Sequence, residues 1–456
     1  MPTAKEQWLA FAPRPEPLRT GKKYHVFISY RSVNRVWAIN LYDVLRSCGH
    51  EVFLDQSALV MGGSLVGQLQ KGLVQSQAGI LIWSSATADS SWVEREYSTM
   101  ERLTDSGEFH FVPVVIEQAE LPVFVQNRVF LDFSGYPDGP NGGDLLRLLH
   151  AVVGKPLSPE AAHFATQQDE AARRLMAQIR ARVKAGDHDG LMALFNGDPQ
   201  GQGQAQGQGQ GQGRLALETS SAPGCAIAEG LIALRAYSSA LEVLDKVQVT
   251  FPNSIRPRQL RALALARRAE AGDLMAAQGI LGELEELGHR DPETLGIYAR
   301  TWMDRYALST DVLHLRKARD LYAEAFEGAQ DDFYVGINAA AKSVLLGGAE
   351  EVEKGKAFAR QVQQIVGSDL VRGDYWKTAT VAEVFLILGD YERAATRYAE
   401  AVTMAPSEIG SHSTTWLQAC RLMAVLKPDD LARADVRRAF AHLPDCSLTQ
   451  TPFTSS

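Results

Sequence analysis

Residues 24–30 read Tyr24-His25-Val26-Phe27-Ile28-Ser29-Tyr30, and this run decides the fold of the N-terminal part of the chain. An almost unbroken apolar run of this kind is typical of a central strand in a parallel sheet that is covered on both faces. Four further strands are expected at residues 51–54, 79–83, 109–116 and 128–133.

Helical patterns lie between most of these strands. They are expected from Val36 to a stop at Gly49, after a cap at Ser64, from Ser91 to about Leu103, and from Gly143 to Val153. The order β-α-β-α-β-α-β, then β, then α, predicts a parallel sheet with helices on both faces. Because crossovers between parallel strands are right-handed, a crevice opens at the carboxyl ends of the strands, where ligands bind.

One predicted helix begins with a pattern that suggests a site. Ser91 is suited to the N-cap, and Glu94 three residues later completes a capping box. Glu96 lies four residues after Trp92, so that the indole and the carboxylate share one helix face, whereas Glu94 lies about 200° away from Glu96. The indole could stack on the ring of a ligand, and the carboxylate could stabilise a positive charge. The alternative is a surface glutamate beside a half-buried tryptophan.

Composition excludes several classes of function. The chain has 456 residues, enough for about two to four domains. Its net charge of −8 and its scattered basic residues argue against a nucleic-acid partner. No apolar run approaches 18 residues, and the first 21 residues contain four prolines and no apolar core. We therefore expect no signal peptide, no membrane contact and a cytoplasmic protein.

The cysteines and histidines indicate no metal site. The four cysteines stand far apart, no CxxC pair is present, and the ten histidines form no HExxH motif. Few cysteines in a long chain also suit a reducing cytosol. The glycines at 62 and 63 are not followed by Gly-Lys-Ser/Thr and do not follow a strand, so they form neither a P-loop nor a dinucleotide fingerprint. No GxSxG elbow is present.

The predicted organisation has five parts. A loose lead-in covers residues 1–22, the α/β domain 23–155, a helical connector with a linker 156–218, a helical repeat domain 219–443 and a tail 444–456. Within the linker, residues 197–213 are almost pure Gly and Gln, a composition that cannot bury a core and predicts a flexible spacer.

Beyond residue 220 the pattern is helical and repetitive. Small and large apolar residues recur at fixed spacing, so that two helices of a pair can approach closely. The copies are Tyr237, Ala240, Leu244 and Val247; Leu274, Ala277, Leu281 and Leu284; Leu315, Ala318, Tyr322 and Ala325; and Tyr391, Ala394, Tyr398 and Ala401. The pattern resembles tetratricopeptide repeats, most strongly over 375–406. Contiguous copies start about 37 to 41 residues apart, against about 34 in the standard repeat, so an irregular all-α solenoid is expected.

Residues 24–153 resemble a TIR domain, the Toll/interleukin-receptor and resistance-protein module. Three motifs carry the resemblance, in order: Phe27-Ile28-Ser29-Tyr30-Arg31, then Val52-Phe53-Leu54-Asp55 with Leu59 and Gly62 behind it, then Ser91-Trp92-Val93 followed by Glu96. The resemblance implies a flavodoxin-like fold with a five-stranded parallel sheet. The expected fold class is therefore α/β followed by all-α.

The same resemblance implies one of two functions. Many bacterial, plant and neuronal TIR domains are NAD glycohydrolases, and others, including the animal receptor domains, only signal through protein contacts. The branches differ in the Glu four residues after the Trp, which this chain has as Glu96. Cleavage of the nicotinamide–ribose bond builds positive charge on the ribose. One carboxylate can stabilise that charge, and nicotinamide leaves as a neutral molecule.

The resemblance assigns Glu96 as the catalytic residue and Trp92 as a residue that stacks on a base or shields the site. Arg31 is suited to the pyrophosphate, with a surface arginine as the alternative. Ser29 either hydrogen-bonds ribose or simply ends its strand, and Asp55 either lines the cleft or caps its loop.

Two further positions complete the substrate-binding set. Tyr30 belongs to the first motif, and Gly62 belongs to the loop of the second. Here the loop continues with Gly63 and Ser64, where some active relatives carry a larger or charged residue. This departure affects adenine contacts and assembly through the loop.

The helical part carries a second resemblance. Residues 334–340 and 374–383 resemble the tetratricopeptide-type TRAF-binding region of apoptosis-signal-regulating kinases. That module is also found fused to effector domains in bacterial conflict systems, so it implies sensing or scaffolding. The alternative is that Gly336 and Asn338 are only helix-packing residues.

The resulting hypothesis is an enzyme that cleaves NAD⁺ to nicotinamide and ADP-ribose or cyclic ADP-ribose, with NAD⁺ as substrate and no cofactor. We expect self-association through the TIR domain, a protein or small-molecule trigger at the helical domain, and a setting in bacterial antiphage defence. A non-enzymatic TIR adaptor is the alternative. A third hypothesis is an enzyme whose main output is a cyclic nucleotide messenger.

Overall fold

The computed structural model describes residues 4–54, 65–85, 91–105, 107, 109–117, 130–136, 139–196, 217–367 and 374–445. Within these ranges, the description excludes the side chains of residues 4, 5, 7, 32, 65–69 and 91–97. The chain divides into two compact units, residues 1–280 and 281–456.

The first unit contains a five-stranded parallel sheet. Its strands are β1 (Tyr24–Ser29), β2 (Val52–Leu54), β3 (Ser76–Trp83), β4 (His110–Val115) and β5 (Leu131–Asp132), in the order β2-β1-β3-β4-β5. In the register, Val26 pairs with Val52 on one side and Ile28 pairs with Ile80 on the other. The predicted sheet is confirmed, and the run at 24–30 forms the strand between β2 and β3.

Five helices accompany the sheet: α1 (Ala4–Phe11), α2 (Arg35–Ser47), α3 (Leu65–Val74), α4 (Ser91–Asp105) and α5 (Gly142–Val152). α2 ends shortly before Gly49, whose φ of +88° only glycine adopts readily. α4 begins at Ser91 itself, one residue earlier than a capping role for Ser91 requires.

The lead-in differs from the prediction, since α1 lies within it. Trp8 of α1 is 4% exposed, and the ring of Phe11 lies 4.9 Å from that of Phe164. Burying a tryptophan stabilises a segment strongly enough to fold a short helix that local propensity alone would not hold.

Aromatic packing sets one face of the sheet. The Phe27 and Phe53 rings stack with centroids 5.2 Å apart, in a cluster with Met100 and Phe109. A Cβ at Gly79 would lie 2.7 Å from Cζ of Phe109 and 3.0 Å from Sδ of Met100. The glycine therefore lets α4 and Phe109 lie directly on β3.

The predicted connector forms α6 (Pro159–Ala185) and α7 (His188–Asn196). Ser158 caps α6 by accepting from the Ala161 N–H, and Gly186 ends it at a φ of +66°. The Gly-Gln tract at 197–213 lies outside the described residues. The first unit then continues through α8 (Ala222–Ala233), α9 (Tyr237–Thr250), α10 (Ile255–Arg268) and the first residues of α11 (Asp273–Glu286).

The second unit is helical throughout its described part. Its further helices are α12 (Pro292–Ser309), α13 (Val312–Gly328), α14 (Phe333–Leu346), α15 (Ala349–Val366), α16 (Tyr375–Leu388), α17 (Tyr391–Met404), α18 (Ile409–Leu426) and α19 (Asp430–Ala439). The repeat positions predicted from spacing are core residues: Ala318, Tyr322, Ala394 and Tyr398 are at most 1% exposed. The helical repeat region is therefore confirmed.

Gly336 has the packing role that the sequence left as an alternative. A Cβ there would lie 2.7 Å from Cγ2 of Val362 and 2.8 Å from Cε2 of Phe326. Glycine at this position allows α14 to approach its neighbours α13 and α15 closely.

The described residues form neither a membrane-spanning helix nor a cluster of metal-binding side chains. No helix in these ranges is long and apolar enough to cross a membrane. The same residues contain no group of three or more His, Cys, Asp or Glu side chains arranged to hold a metal ion.

Candidate active site

The strand order places a crevice between β1 and β3. The chain runs outward from β1 to β2 on one side and from β3 to β4 and β5 on the other. The connections at the carboxyl ends of β1 and β3 therefore diverge, and this divergence opens the cleft that open α/β sheets use for ligands. Ser29 ends β1 at this edge and is 3% exposed.

The residues that follow β1 are held by an arginine. Arg35, on the first turn of α2 and 9% exposed, donates from Nη1 to the Tyr30 hydroxyl at 2.5 Å. Its guanidinium carbon lies 5.9 Å from the centroid of the Tyr30 ring. Tyr30 and Arg31 are both half-buried. The Arg35 guanidinium therefore lies close to the carboxyl edge of the sheet, where it could attract an anionic group.

Hydrogen bonds join the ends of three strands. Asn34 Nδ2 donates to Ser84 Oγ at 2.7 Å, which ties the turn after β1 to the residue after β3. The Ser85 N–H donates to a carboxylate oxygen of Glu117, two residues beyond β4. The carboxyl edge is thus a connected polar rim rather than separate strand ends.

Sequence reasoning missed Asn34, Arg35, Ser84 and Glu117. A signal was present, because Ser84 and Glu117 are polar residues directly behind apolar strands. Their pairing across the sheet could not be foreseen, since Asn34 and Ser84 are 50 positions apart.

Helix α4 carries the predicted catalytic position. Met100 on α4 is fully buried against Phe109, which lies at the amino end of β4. The helix therefore runs from the carboxyl edge of the sheet, where β3 ends, back towards the amino edge. Positions 92, 96 and 100 follow one another at four-residue steps along one stripe, about 6 Å apart. Position 96 thus lies one turn closer to the carboxyl edge than buried Met100.

The described residues do not bring the whole predicted set together. Ser29, Tyr30 and Arg31 lie at the carboxyl end of β1. The side chains of Trp92 and Glu96 lie outside the description, as do Asp55 and Gly62 entirely. Their roles stay predictions.

The outer face of α2 is covered by the helical part of the same unit. Asp43 is 7% exposed, and its Oδ2 accepts the Ile255 N–H at 3.0 Å. Ser254 occupies the N-cap of α10 but makes no capping bond with its own side chain. The Asp43 carboxyl also accepts from the Arg256 N–H and the Ser254 hydroxyl. A residue of the sheet layer thus caps a repeat helix.

Burial dominates the electrostatics of this contact. It raises the pKa of Asp43 to about 8, although the three hydrogen bonds act in the opposite direction. At the neighbouring loop, a Cβ at Gly139 would lie 2.6 Å from the Ala222 Cβ and 2.8 Å from Asn40 Nδ2. The loop at Gly139 therefore packs directly on Asn40 of α2 and Ala222 of α8.

Two family models match this chain, one in the α/β part and one in the helical part. Residues 26–148 match the family model of the TIR domain, and residues 236–346 match the model named Tetratricopeptide Repeats-Sensor. The chain carries a TIR domain followed by a tetratricopeptide sensor domain.

Individual relatives resemble the TIR part. Over 101 residues the chain is 32% identical to the 2′ cyclic ADP-D-ribose synthase BtTIR of Bacteroides thetaiotaomicron, covering 22% of this chain and 34% of that protein. It is 28% identical over 98 residues to the probable 2′ cyclic ADP-D-ribose synthase TcpB of Brucella abortus, covering 21% and 39%. It is 29% identical over 98 residues to the NAD(+) hydrolase PdTIR of Paracoccus denitrificans, covering 21% and 33%. The matched segment spans roughly a third of each of these relatives.

Proposed function

We propose that the TIR domain cleaves the nicotinamide–ribose bond of NAD⁺. The observation that carries the proposal is the position of residue 96 on α4, one turn above buried Met100 on the side of the carboxyl edge. Relatives of this domain that are named for NAD⁺ hydrolysis and for cyclic ADP-ribose synthesis support it.

Cleavage of this bond requires few catalytic groups. As the bond to nicotinamide lengthens, positive charge grows on the ribose, and nicotinamide departs neutral without a general acid. A carboxylate near the ribose stabilises this charge electrostatically. We assign that role to Glu96, and we assign to Trp92 the shielding of the ribose from water.

The β1 end supplies the binding groups in this proposal. Arg31 takes the pyrophosphate, and Ser29 holds a ribose hydroxyl. Arg35 orients Tyr30 by donating a hydrogen bond to its hydroxyl. The guanidinium group of Arg35 is a second cation at the rim, beside Arg31. Asp55 and Gly62 belong to the loop after β2 and are proposed to border the same cleft.

Two products are compatible with one bond cleavage. If water attacks the ribose cation, the product is ADP-ribose. If a hydroxyl or a ring nitrogen of the same molecule attacks, the product is cyclic. The relatives carry both kinds of name, so product analysis belongs in the first experiment.

The sensor domain completes the proposal. We infer that it receives a protein or small-molecule signal and that the signal promotes association of TIR domains, which complete each other's NAD⁺ sites. The setting we propose is antiphage defence in bacteria, where loss of NAD⁺ disables the infected cell.

The test is NAD⁺ loss, followed by chromatography of the products, for the full chain and for Glu96→Gln. We expect the substitution to lower the rate by about 10²-fold or more, because it removes charge that acts in the transition state. Glu94→Gln is the matched control, since it removes a carboxylate from the same helix about 200° away.

The outcomes separate the two main hypotheses. Equal rates for the two variants, both far below wild type, would remove Glu96 from its assigned role. Absence of NAD⁺ loss at every protein concentration, with signalling unaffected by Glu96→Gln, would favour the adaptor.

A further inference from the structure

A cavity opens on the second unit where two of its helices begin. Its volume is about 550 Å³. It is lined by residues 374–376, at the start of α16, and by residues 404–408, from the end of α17 to the residue before α18. Small-molecule sites commonly have volumes of about 300–1,000 Å³, so the cavity has the size for a ligand of low molecular weight. Residues 374–376 also begin the segment 374–383, whose resemblance implied sensing.

An exposed tryptophan forms one wall of this cavity. Trp376 is 53% exposed, although it is a large aromatic residue on the second position of α16. Its neighbour Tyr375 is 6% exposed, and the Tyr375 hydroxyl is hydrogen-bonded with Thr415 Oγ1 at 2.8 Å. The two rings are nearly perpendicular, with centroids 5.1 Å apart. The buried ring is thus anchored, and the indole packed against it presents apolar surface to the cavity.

The charged side chains on the wall of the cavity are carboxylates. Asp374 directly precedes α16, and Glu408 directly precedes α18. Among the described residues that line the cavity, none is a lysine, an arginine or a histidine. An anion would therefore meet two negative groups and no cation, whereas a cation would be attracted by both carboxylates.

Both carboxylates keep their charge and further acceptor capacity. Asp374 caps α16 by accepting the Lys377 N–H with Oδ1 at 2.9 Å. Glu408 accepts from the Ser411 hydroxyl with Oε2 at 2.8 Å. These donor groups, a backbone amide and a hydroxyl, are neutral. An ionised carboxylate has about four lone-pair sites, so one such bond leaves it able to contact a ligand.

The histidine packed behind Tyr375 does not offset these carboxylates. His412 on α18 is 1% exposed, its ring centroid lies 5.5 Å from that of Tyr375, and its Nδ1 is hydrogen-bonded with His442 Nε2. Burial, and after it the neighbouring His442, lowers the pKa of His412, although the Ala405 carbonyl and Glu408 act in the opposite direction. The His412 imidazole is therefore neutral at pH 7.

The rest of the wall offers apolar contacts. Met404, Ala405 and Pro406 lie at the end of α17 and in the turn that follows it. The Thr378 hydroxyl donates to Sδ of Met404 at 3.9 Å, which positions this side chain beside α16. A flexible thioether and a proline ring can pack against alkyl groups of different shapes.

We propose that this cavity binds a small organic cation, an ammonium group that carries alkyl substituents. The ammonium group lies over the Trp376 indole, which attracts a cation more strongly than other aromatic rings do. Asp374 and Glu408 add Coulomb attraction, and residues 404–406 contact the alkyl groups. The site lies in the repeat region and is independent of the cleavage proposed for the TIR domain.

The test is isothermal titration of the full chain with choline chloride and, separately, with putrescine dihydrochloride, at constant ionic strength. Each cation has a neutral analogue of similar size as its control: neohexyl alcohol, in which carbon replaces the nitrogen of choline, and tetramethylene glycol, in which hydroxyls replace the amines of putrescine. We expect one of the cations to bind, and its neutral analogue to bind at least about tenfold more weakly.

Substitution of the tryptophan tests the aromatic contact. Trp376→Leu should weaken binding of that cation by about tenfold, because leucine keeps an apolar side chain but has no π face. Tyr334→Leu is the matched control. Tyr334 is 54% exposed and holds the same second position of α14, but it is not among the residues that line the cavity. We expect this variant to bind like the wild type.

A second pair of variants tests the charge. Glu408→Gln keeps an acceptor for Ser411 and removes one negative charge, so it should weaken binding by about twofold to fivefold. Glu392→Gln is its control, since Glu392 is exposed on the first turn of α17 and does not line the cavity. All four variants alter partly or fully exposed side chains and should melt close to the wild type. If Trp376→Leu does not fold, Glu408→Gln carries the test.

Three outcomes would overturn the site. The first is the absence of both heat and a melting shift for the wild type with either cation. The second is equal affinity for a cation and its neutral analogue, which would leave an apolar cavity without preference for charge. The third is wild-type affinity in Trp376→Leu and Glu408→Gln, which would place the cation elsewhere.

Discussion

At the scale of single residues, Gly336 offers a sharp test of helix packing. A methyl group there would meet Val362 and Phe326 at less than 3.0 Å. We expect Gly336→Ala to destabilise the second unit by about 1–3 kcal/mol, since overpacking forces neighbours out of place. Chemical denaturation of the full chain, followed by far-UV circular dichroism, measures the loss.

Gly296 provides the matched control for this substitution. It lies on α12, and its added Cβ would meet only Cγ1 of Val335, at 3.7 Å. Alanine there should stabilise by about 0.5–1 kcal/mol through helix propensity. If Gly336→Ala proved as stable as Gly296→Ala, the close approach of α14 to its neighbours would be wrong.

At the scale of secondary-structure elements, the cap that α2 supplies to α10 predicts a pH dependence. The pKa of Asp43 is about 8 in the fold, against the ordinary 3.8. The folded chain therefore binds more protons than the unfolded chain between these values. Stability is full below pH 4 and falls as pH rises through 8, by up to about 1.4 kcal/mol per unit.

Asp43→Asn isolates this contribution. The amide keeps an acceptor for the Ile255 N–H but does not titrate, so the slope between pH 6.5 and 8.5 should flatten. Other groups near Asp43, namely Cys225, Glu229 and Arg256, are present in both proteins. His50, whose pKa burial lowers to about 4, gives the opposite slope below pH 6.5 and also cancels in the comparison. Identical slopes in the two proteins would contradict the buried cap.

At the scale of the whole molecule, the proposed association of TIR domains predicts that NAD⁺ cleavage depends on concentration. The rate per mole of full chain should rise with protein concentration until association saturates. Light scattering on the same samples measures the assembly, and Glu96→Gln should assemble without cleaving. A constant rate per mole from a protein that stays monomeric would contradict the proposal.

The sequence predicted those parts of the fold that depend on local periodicity. The strands and the repeat positions such as Ala394 and Tyr398 emerged because each pattern repeats within a few residues. The helix α1 was missed, because what stabilises it is the distant contact of Phe11 with Phe164.

Only part of the candidate site could be predicted from the sequence. The four-residue spacing of Trp92 and Glu96 predicts that both lie on one helix, and α4 contains both positions. The sequence analysis assigned no role to Asp43, because its partner Ile255 is 212 positions away. Long-range polar contacts leave no periodic signature.

The capping of α10 by Asp43 has a consequence for recombination. A cut near residue 155 would separate the sheet from its neighbour, leaving a bare aspartate on α2 and exposed N–H groups at Ile255 and Arg256. A gene fusion that transferred this sheet to another helical partner would need to restore a donor for that carboxyl. A transferred segment that ran from residue 1 to the end of α10 would keep both sides of the contact together.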